Sequence, residues 1–275
     1  MKRHHVTFNR QGTIMAFSYD QQTIVLLDTE TKQQTKHKHP RKICYLLYAP
    51  DDNFVIGDTD GNTTVVNANF EPIRQCQTNP VHDIAISQHH IAIADSTTTL
   101  KVFDKNNNKN TIQSHGEFQC VAYNPQGSIL AAGNLVHMVY LYNTTDYTIV
   151  DKLPQQQYAT SIVFSAQEPL LVIGDVCGTT SLYNTKTKEM IHRFEQREQI
   201  NRVVFYKPNI VGIATQINYI HGSVYVKSGH IIFYDIQERK KVEDHAYKHW
   251  VTELVCSSKG HVAYTDDKNN VFIYN

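Results

Sequence analysis

Seven times along the chain an apolar, strand-like segment is followed by a polar turn and further apolar runs, and the copies stay in phase. The segments start at Val6, Leu46, Ile84, Val121, Ile162, Val203 and Leu254, at successive spacings of 40, 38, 37, 41, 41 and 51. The clearest copies are Val6-Thr-Phe-Asn-Arg-Gln-Gly12, Leu46-Leu-Tyr-Ala-Pro-Asp-Asp52, Val121-Ala-Tyr-Asn-Pro-Gln-Gly127 and Val203-Val-Phe-Tyr-Lys-Pro-Asn209. Three residues upstream stand Ile43, Val81, Phe118, Ala159, Ile200 and Val251, with Arg3 the polar exception. A period near 40 residues means one supersecondary unit stacked on copies of itself, because no single unit buries its apolar face alone.

A further column closes each unit: Leu26-Leu-Asp28, Val65-Val-Asn67, Val102-Phe-Asp104, Leu141-Tyr-Asn143, Leu182-Tyr-Asn184, Phe233-Tyr-Asp235 and Ile273-Tyr-Asn275. Four of these seven strands alternate around β-branched and aromatic residues, which suits a pleated, half-buried surface. Gly, Asp and Asn gather in expected turns such as Asp60-Gly61, Ser228-Gly229 and Asn269-Asn270. No stretch keeps a helical apolar period with caps over ten residues. The units divide the chain at 1–39, 40–78, 79–115, 116–156, 157–197, 198–247 and 248–275.

Four strands per unit of about 40 residues, closed by an aromatic residue and Asp, resemble the WD-repeat β-propeller family along essentially the whole chain. The family's Trp before Asp is replaced here by Leu27, Val66, Phe103, Tyr142, Tyr183, Tyr234 and Tyr274. Its Gly-His pair survives only as isolated histidines such as His39 and His115, and its hairpin Asp is matched by Asp60 and Asp20. The resemblance implies an all-β, seven-bladed propeller forming a single domain over residues 1–275. It also implies a non-catalytic scaffold that binds protein or peptide partners, such as the subunits of a larger complex. The alternative it leaves open is a propeller enzyme, or a small-ligand or anion module, with a polar site at the channel mouth.

Composition narrows the classes further. Lys plus Arg and Asp plus Glu both number 26, which argues against a generically basic nucleic-acid binder. Cys44, Cys76, Cys120, Cys177 and Cys256 are odd in number and never form Cys-x-x-Cys, so they read as reduced thiols of a cytosolic or nuclear protein. No apolar run reaches membrane-spanning length, and Met-Lys-Arg-His-His leads into no signal-like apolar stretch.

No glycine-rich phosphate loop and no Gly-x-Ser-x-Gly elbow is present, so neither a cofactor nor a catalytic residue is assigned. His37-Lys-His39 and His245-x-x-x-His249 have ligand-like spacing but no Cys or carboxylate beside them, so no metal is expected. His245 and His249 are placed in an interblade loop. The segment Lys36-His-Lys-His-Pro-Arg-Lys42 carries four fixed positive charges without interleaved aromatics. It therefore reads as a solvated loop first, then as a contact for an acidic protein partner, and last as one for nucleic acid or lipid.

Lys42, Tyr158, Arg202 and Trp250 lie in or beside the segments that lead into first strands, so one face of the ring is expected to bind partners through them. The surplus of the sixth unit, Gln216–Gly229, reads as a lengthened hairpin on that face, with Tyr219 and Tyr225 as partner contacts. The last unit offers no fourth strand of its own, so its blade is expected to lack the outer strand. It is either a stable three-stranded blade, or its uncharged Val271–Tyr274 edge pairs with another strand through Phe272 and Tyr274 or is covered by Lys2–His5.

Overall fold

A computed structural model describes residues 5–49, 51–221 and 224–274, with the backbone alone for 219–221 and 224–226. Seven antiparallel sheets form the seven blades of a β-propeller, each strand pairing with its sequence neighbour. Blade 1 is β1 (Val6–Phe8), β2 (Ile14–Ser18), β3 (Thr23–Asp28) and β4 (Gln34–Lys38); blade 2 is β5 (Ile43–Tyr48), β6 (Phe54–Asp58), β7 (Asn62–Val66) and β8 (Pro72–Gln77). Blade 3 comprises β9 (Val81–Ile86), β10 (His90–Asp95), β11 (Thr99–Asp104) and β12 (Lys109–Gln113). Blade 4 comprises β13 (Phe118–Tyr123), β14 (Ile129–Asn134), β15 (Met138–Asn143) and β16 (Ile149–Pro154). Blade 5 holds β17 (Ala159–Phe164), β18 (Leu170–Asp175), β19 (Thr179–Asn184) and β20 (Glu189–Glu195). Blade 6 holds β21 (Gln199–Lys207), β22 (Ile210–His221), β23 (Val224–Asp235) and β24 (Lys240–Tyr247). The described residues of blade 7 make three strands, β25 (Val251–Cys256), β26 (Val262–Asp266) and β27 (Val271–Tyr274).

The Asp/Asn that closes the third strand of blades 1 to 6 has a local task. Asp28 Oδ1 accepts the backbone N–H of Glu30 and Thr31 at 2.9 and 2.7 Å, and Asp104, Asn184 and Asp235 accept two N–H groups each in the same way. These Asx turns lead to a left-handed residue three or four positions on: Lys32, Phe70, Asn107, Tyr147, Lys188 or Arg239. A second column caps the hairpin after the second strand. Asp58, Asn134, Asp175 and Asp266 are buried there, and each Oδ1 accepts two backbone N–H groups of its own turn. The expectation for Asp60 is corrected accordingly. Asp60 is exposed beside Arg41, and Asp58, two residues earlier, holds the turn. Asp20 does serve its hairpin, accepting from Gln22 N and Thr23 Oγ1 at 2.7 and 2.9 Å. Gly229 is likewise not in a turn but inside β23, where a Cβ would come within 2.6 Å of Thr215 O and Val251 N.

The blades are held face to face by apolar clusters. The aromatic before Asp is buried at Phe103, Tyr142, Tyr183 and Tyr234, and the preceding blade's outer strand packs one side chain against it. Phe194 of β20 stacks on Tyr234 with centroids 3.9 Å apart, and Leu153 of β16 shares a cluster with Tyr183. Burying such side chains contributes roughly 1.5–3 kcal/mol each.

Around the outer edge of blade 7 one expectation shifts by a residue. Asp266 N donates to Asn270 O, so the same alternation makes Tyr264–Phe272 and Val262–Tyr274 the bonded pairs of β26 and β27. The backbone groups of Phe272 and Tyr274 therefore face inward, and those of Val271 and Ile273 face the edge. Among the described residues no strand pairs there. His5 does not cover it, since its N–H donates to Ser18 Oγ in blade 1, while residues 2–4 lie outside the described residues. Hydrogen exchange on the isolated chain should therefore be fast at Val271 and Ile273 and slow at Phe272 and Tyr274. The reverse order would overturn this register.

Candidate interaction surface at the mouth of the channel

The first strand of six blades carries a β-bulge at its start, which adds one residue: Cys44, His82, Gln119, Thr160, Asn201 or Thr252. A bulge twists the strand and re-aims that side chain. Several of them bridge to the carbonyl opening the next blade's first strand. His82 Nδ1 lies 3.1 Å from Phe118 O, Thr160 Oγ1 donates to Ile200 O at 2.7 Å, and Asn201 Nδ2 donates to Val251 O at 2.7 Å. Gln119 Nε2 lies 3.1 Å from His82 Nδ1. The result is a belt of hydrogen-bonding groups around the mouth.

The next position in each blade holds His5, Tyr45, Asp83, Cys120, Ser161, Arg202 or Glu253. Five of these, His5, Tyr45, Asp83, Arg202 and Glu253, meet in a buried plug. Arg202 Nε meets Glu253 Oε2 at 3.1 Å, its Nη1 lies 3.7 Å from Asp83 Oδ1, and its Nη2 reaches the Tyr45 hydroxyl at 3.5 Å. Tyr45 donates to Asp83 Oδ1 at 2.5 Å, and Asp83 Oδ2 accepts Val121 N–H at 2.9 Å. His5 sits 3.8 Å from Glu253 and packs on the Tyr45 ring. Burial opposes the Arg202 charge, but Glu253, Tyr45 and Asp83 outweigh it and raise its pKa well above the ordinary arginine value. Burial and then the Asp83 carboxylate raise the Tyr45 phenol far above its usual value, so it remains a donor.

Above the plug opens a cup of about 600 Å³, lined among others by Gln21, Lys42, His82, Gln119, Tyr158 and Gln199. Two of the expected partner residues, Lys42 and Tyr158, therefore belong to one concavity, Lys42 exposed and Tyr158 half-buried. Two others are corrected. Arg202 is the hub of the plug, and Trp250 is 7% exposed, its Nε1–H donating to Ile217 O at 2.9 Å while Lys227 Nζ sits 4.0 Å from its ring centroid. Trp250 thus clamps the long β22–β23 hairpin to the ring. The backbones of Tyr219 and Tyr225 pair with Val226 and Ile220, and their side chains lie outside the described residues. Phe272 is 40% exposed and stacks on Tyr264. Reasoning from sequence missed Gln21, Gln119 and Gln199. Gln119 stands at a fixed offset from the apolar column, which was the signal available.

His245 stands in β24 rather than a loop, 2.9 Å from Glu243, and His249 lies 3.4 Å from Asp267. Among the described residues no three His, Cys, Asp or Glu side chains gather as a metal-holding group, and no helix is long and apolar enough to cross a membrane. Burial pushes the Cys44 thiol up to about 11 and Cys256 up to about 12, and it raises Cys76 and Cys120 as well, whereas Cys177 is exposed. Iodoacetamide near neutral pH should therefore label Cys177 promptly and the other four only after unfolding. Rapid labelling of Cys44 in the folded chain would show that the cup is looser than described.

The sequence matches no protein-family model, and a search of curated proteins finds no match. Among solved structures, a chain in "Crystal Structure of Mitotic Checkpoint Complex" superposes with a TM-score of 0.82 at 13% identity, covering 98% of this chain and 88% of that one. At this identity the likeness establishes the fold. The chain is a seven-bladed β-propeller.

Proposed function

We propose that this propeller is a non-catalytic, WD-repeat-type scaffold that binds protein partners through the face carrying the cup, in the cytoplasm or nucleus. The observation that carries this reading is the division of charge at the mouth. The converging ionisable groups Asp83, Arg202 and Glu253 are paired with one another in the plug. In the cup above it the histidines and the one carboxylate, His5, His82 and Asp20, do not gather as a group of three. The cup offers mostly amides and hydroxyls, with Tyr158 and Lys42. Such groups match the backbone donors and acceptors of an extended peptide better than they match acid–base chemistry. A structural neighbour that is part of a complex is in keeping with a subunit role. Affinity purification with the intact chain and with the Tyr158→Ala, Gln119→Ala double variant tests it. Partners lost from the variant support the reading, and partners retained in full overturn it. The second reading, a small polar ligand in the cup, is favoured by the volume of about 600 Å³. It predicts thermal stabilisation by a small molecule that the same two substitutions abolish.

A further inference from the structure

We infer that the cup continues outward over blade 1 as a docking surface for an acidic, extended peptide segment of the partner, an inference that rests on the proposal of a partner-binding face. In sequence the basic run 36–42 has no aromatic neighbour, but the fold brings one from another hairpin. Tyr19 is 60% exposed, and Lys36 Nζ sits over its ring at 5.0 Å from the centroid. Lys36 and Lys38 alternate onto one side of β4, while His37 between them turns inward and stacks on Phe70 with centroids 3.9 Å apart. Lys38 then lines a small cavity with Asp20, Gln22 and Pro40, and Lys42 continues the line to the cup.

The charges in this strip are unequal. Arg41 is taken by Asp58 and Asp60 at 3.5 and 3.6 Å, whereas among the described residues Lys36, Lys38 and Lys42 make no ion pair. Asp20, which shares the small cavity with Lys38, accepts from Gln22 N and Thr23 Oγ1 of its own turn. Three exposed ammonium groups in a row thus face solvent on a chain whose total charge is balanced. A single aromatic ring gives no platform for successive bases, so single-stranded nucleic acid fits less well than a carboxylate-bearing backbone leading into a cup of amides.

The test is fluorescence anisotropy of a labelled decapeptide alternating glutamate and glycine, titrated with the full chain. A lysine–glycine peptide and a ten-residue oligouridylate serve as controls. Saturable binding of the acidic peptide is expected, weakening about tenfold or more as NaCl rises from about 50 to about 300 mM. The Lys36→Glu, Lys38→Glu, Lys42→Glu variant should lose it, and Tyr19→Ala should weaken it about three- to tenfold. Lys38→Ala with Lys42→Ala gives a milder variant that keeps the answer independent of the fold of the triple one. No binding, binding unchanged in the lysine variants, or tighter binding of the oligouridylate would each overturn the inference. If the acidic peptide fails to bind while the Tyr158→Ala, Gln119→Ala variant still loses its partners, the patch is wrong and the cup stands. If the peptide binds while that variant keeps every partner, the patch stands and the cup does not.

Discussion

Replacing Arg202 with alanine should lower the free energy of unfolding by about 3 kcal/mol, the low end of the range for breaking a buried ion pair. The side chain keeps 23% of its exposure, which tempers the loss, but Asp83 and Glu253 are 7% and 5% exposed and would each lose the arginine that pairs with them. Adding Asp83→Asn and Glu253→Gln to the alanine variant should recover much of the loss, because the cost lies in uncompensated charge rather than in missing contacts. Urea denaturation of the single and triple variants measures both quantities. A loss below about 1 kcal/mol for Arg202→Ala would mean that water screens the plug and that it contributes little.

Trp250→Ala should be at least as damaging, at about 3–5 kcal/mol. It removes a buried indole, the ring beneath Lys227 and the donor to Ile217 O. Trp250→Phe keeps most of the packing and should cost about 1–3 kcal/mol, mainly for the carbonyl left without its partner. Replacing residues 218–227 with Asn-Gly is the companion experiment. It deletes Lys227, which also pairs with Asp267 at 3.1 Å, so the melting temperature should fall even though the new turn closes readily. An unchanged melting temperature would show that the contacts of Trp250 and Lys227 do not hold the hairpin to the ring.

What could be read from the sequence follows from how far apart the cooperating residues lie. The Asx turns at Asp28, Asp104 and Asp235 act within three or four positions, so their column stands out at once. The outward shift of the hairpin acid from Asp58 to Asp60 arose because both residues fit the pattern, and only burial separates them. Arg202 looked like a loop cation because its partners come from blades 2, 3 and 7, and no local spacing announces them. Trp250 was misplaced for a related reason. A bulky ring beside a first strand serves equally well for clamping a hairpin or for gripping a partner, and the choice rests on a backbone carbonyl 33 residues away. Tyr19 and Lys36 meet only because β3 and β4 fold back on the hairpin between β2 and β3.

The contact between blades 7 and 1 has a consequence for how the chain can be rearranged. Among the described residues, Val255, Ala263, Val271 and Ile273 meet Val6, Met15, Val25 and Leu27 through side chains, without a strand of either blade entering the other's sheet. This junction is therefore the same kind of contact as the other six. Tethering residue 275 to residue 1 with a flexible linker and opening the chain in a different interblade loop would exchange one such junction for another. A circular permutant opened between β16 and β17 should therefore assemble the same ring, with its blades counted from a new origin.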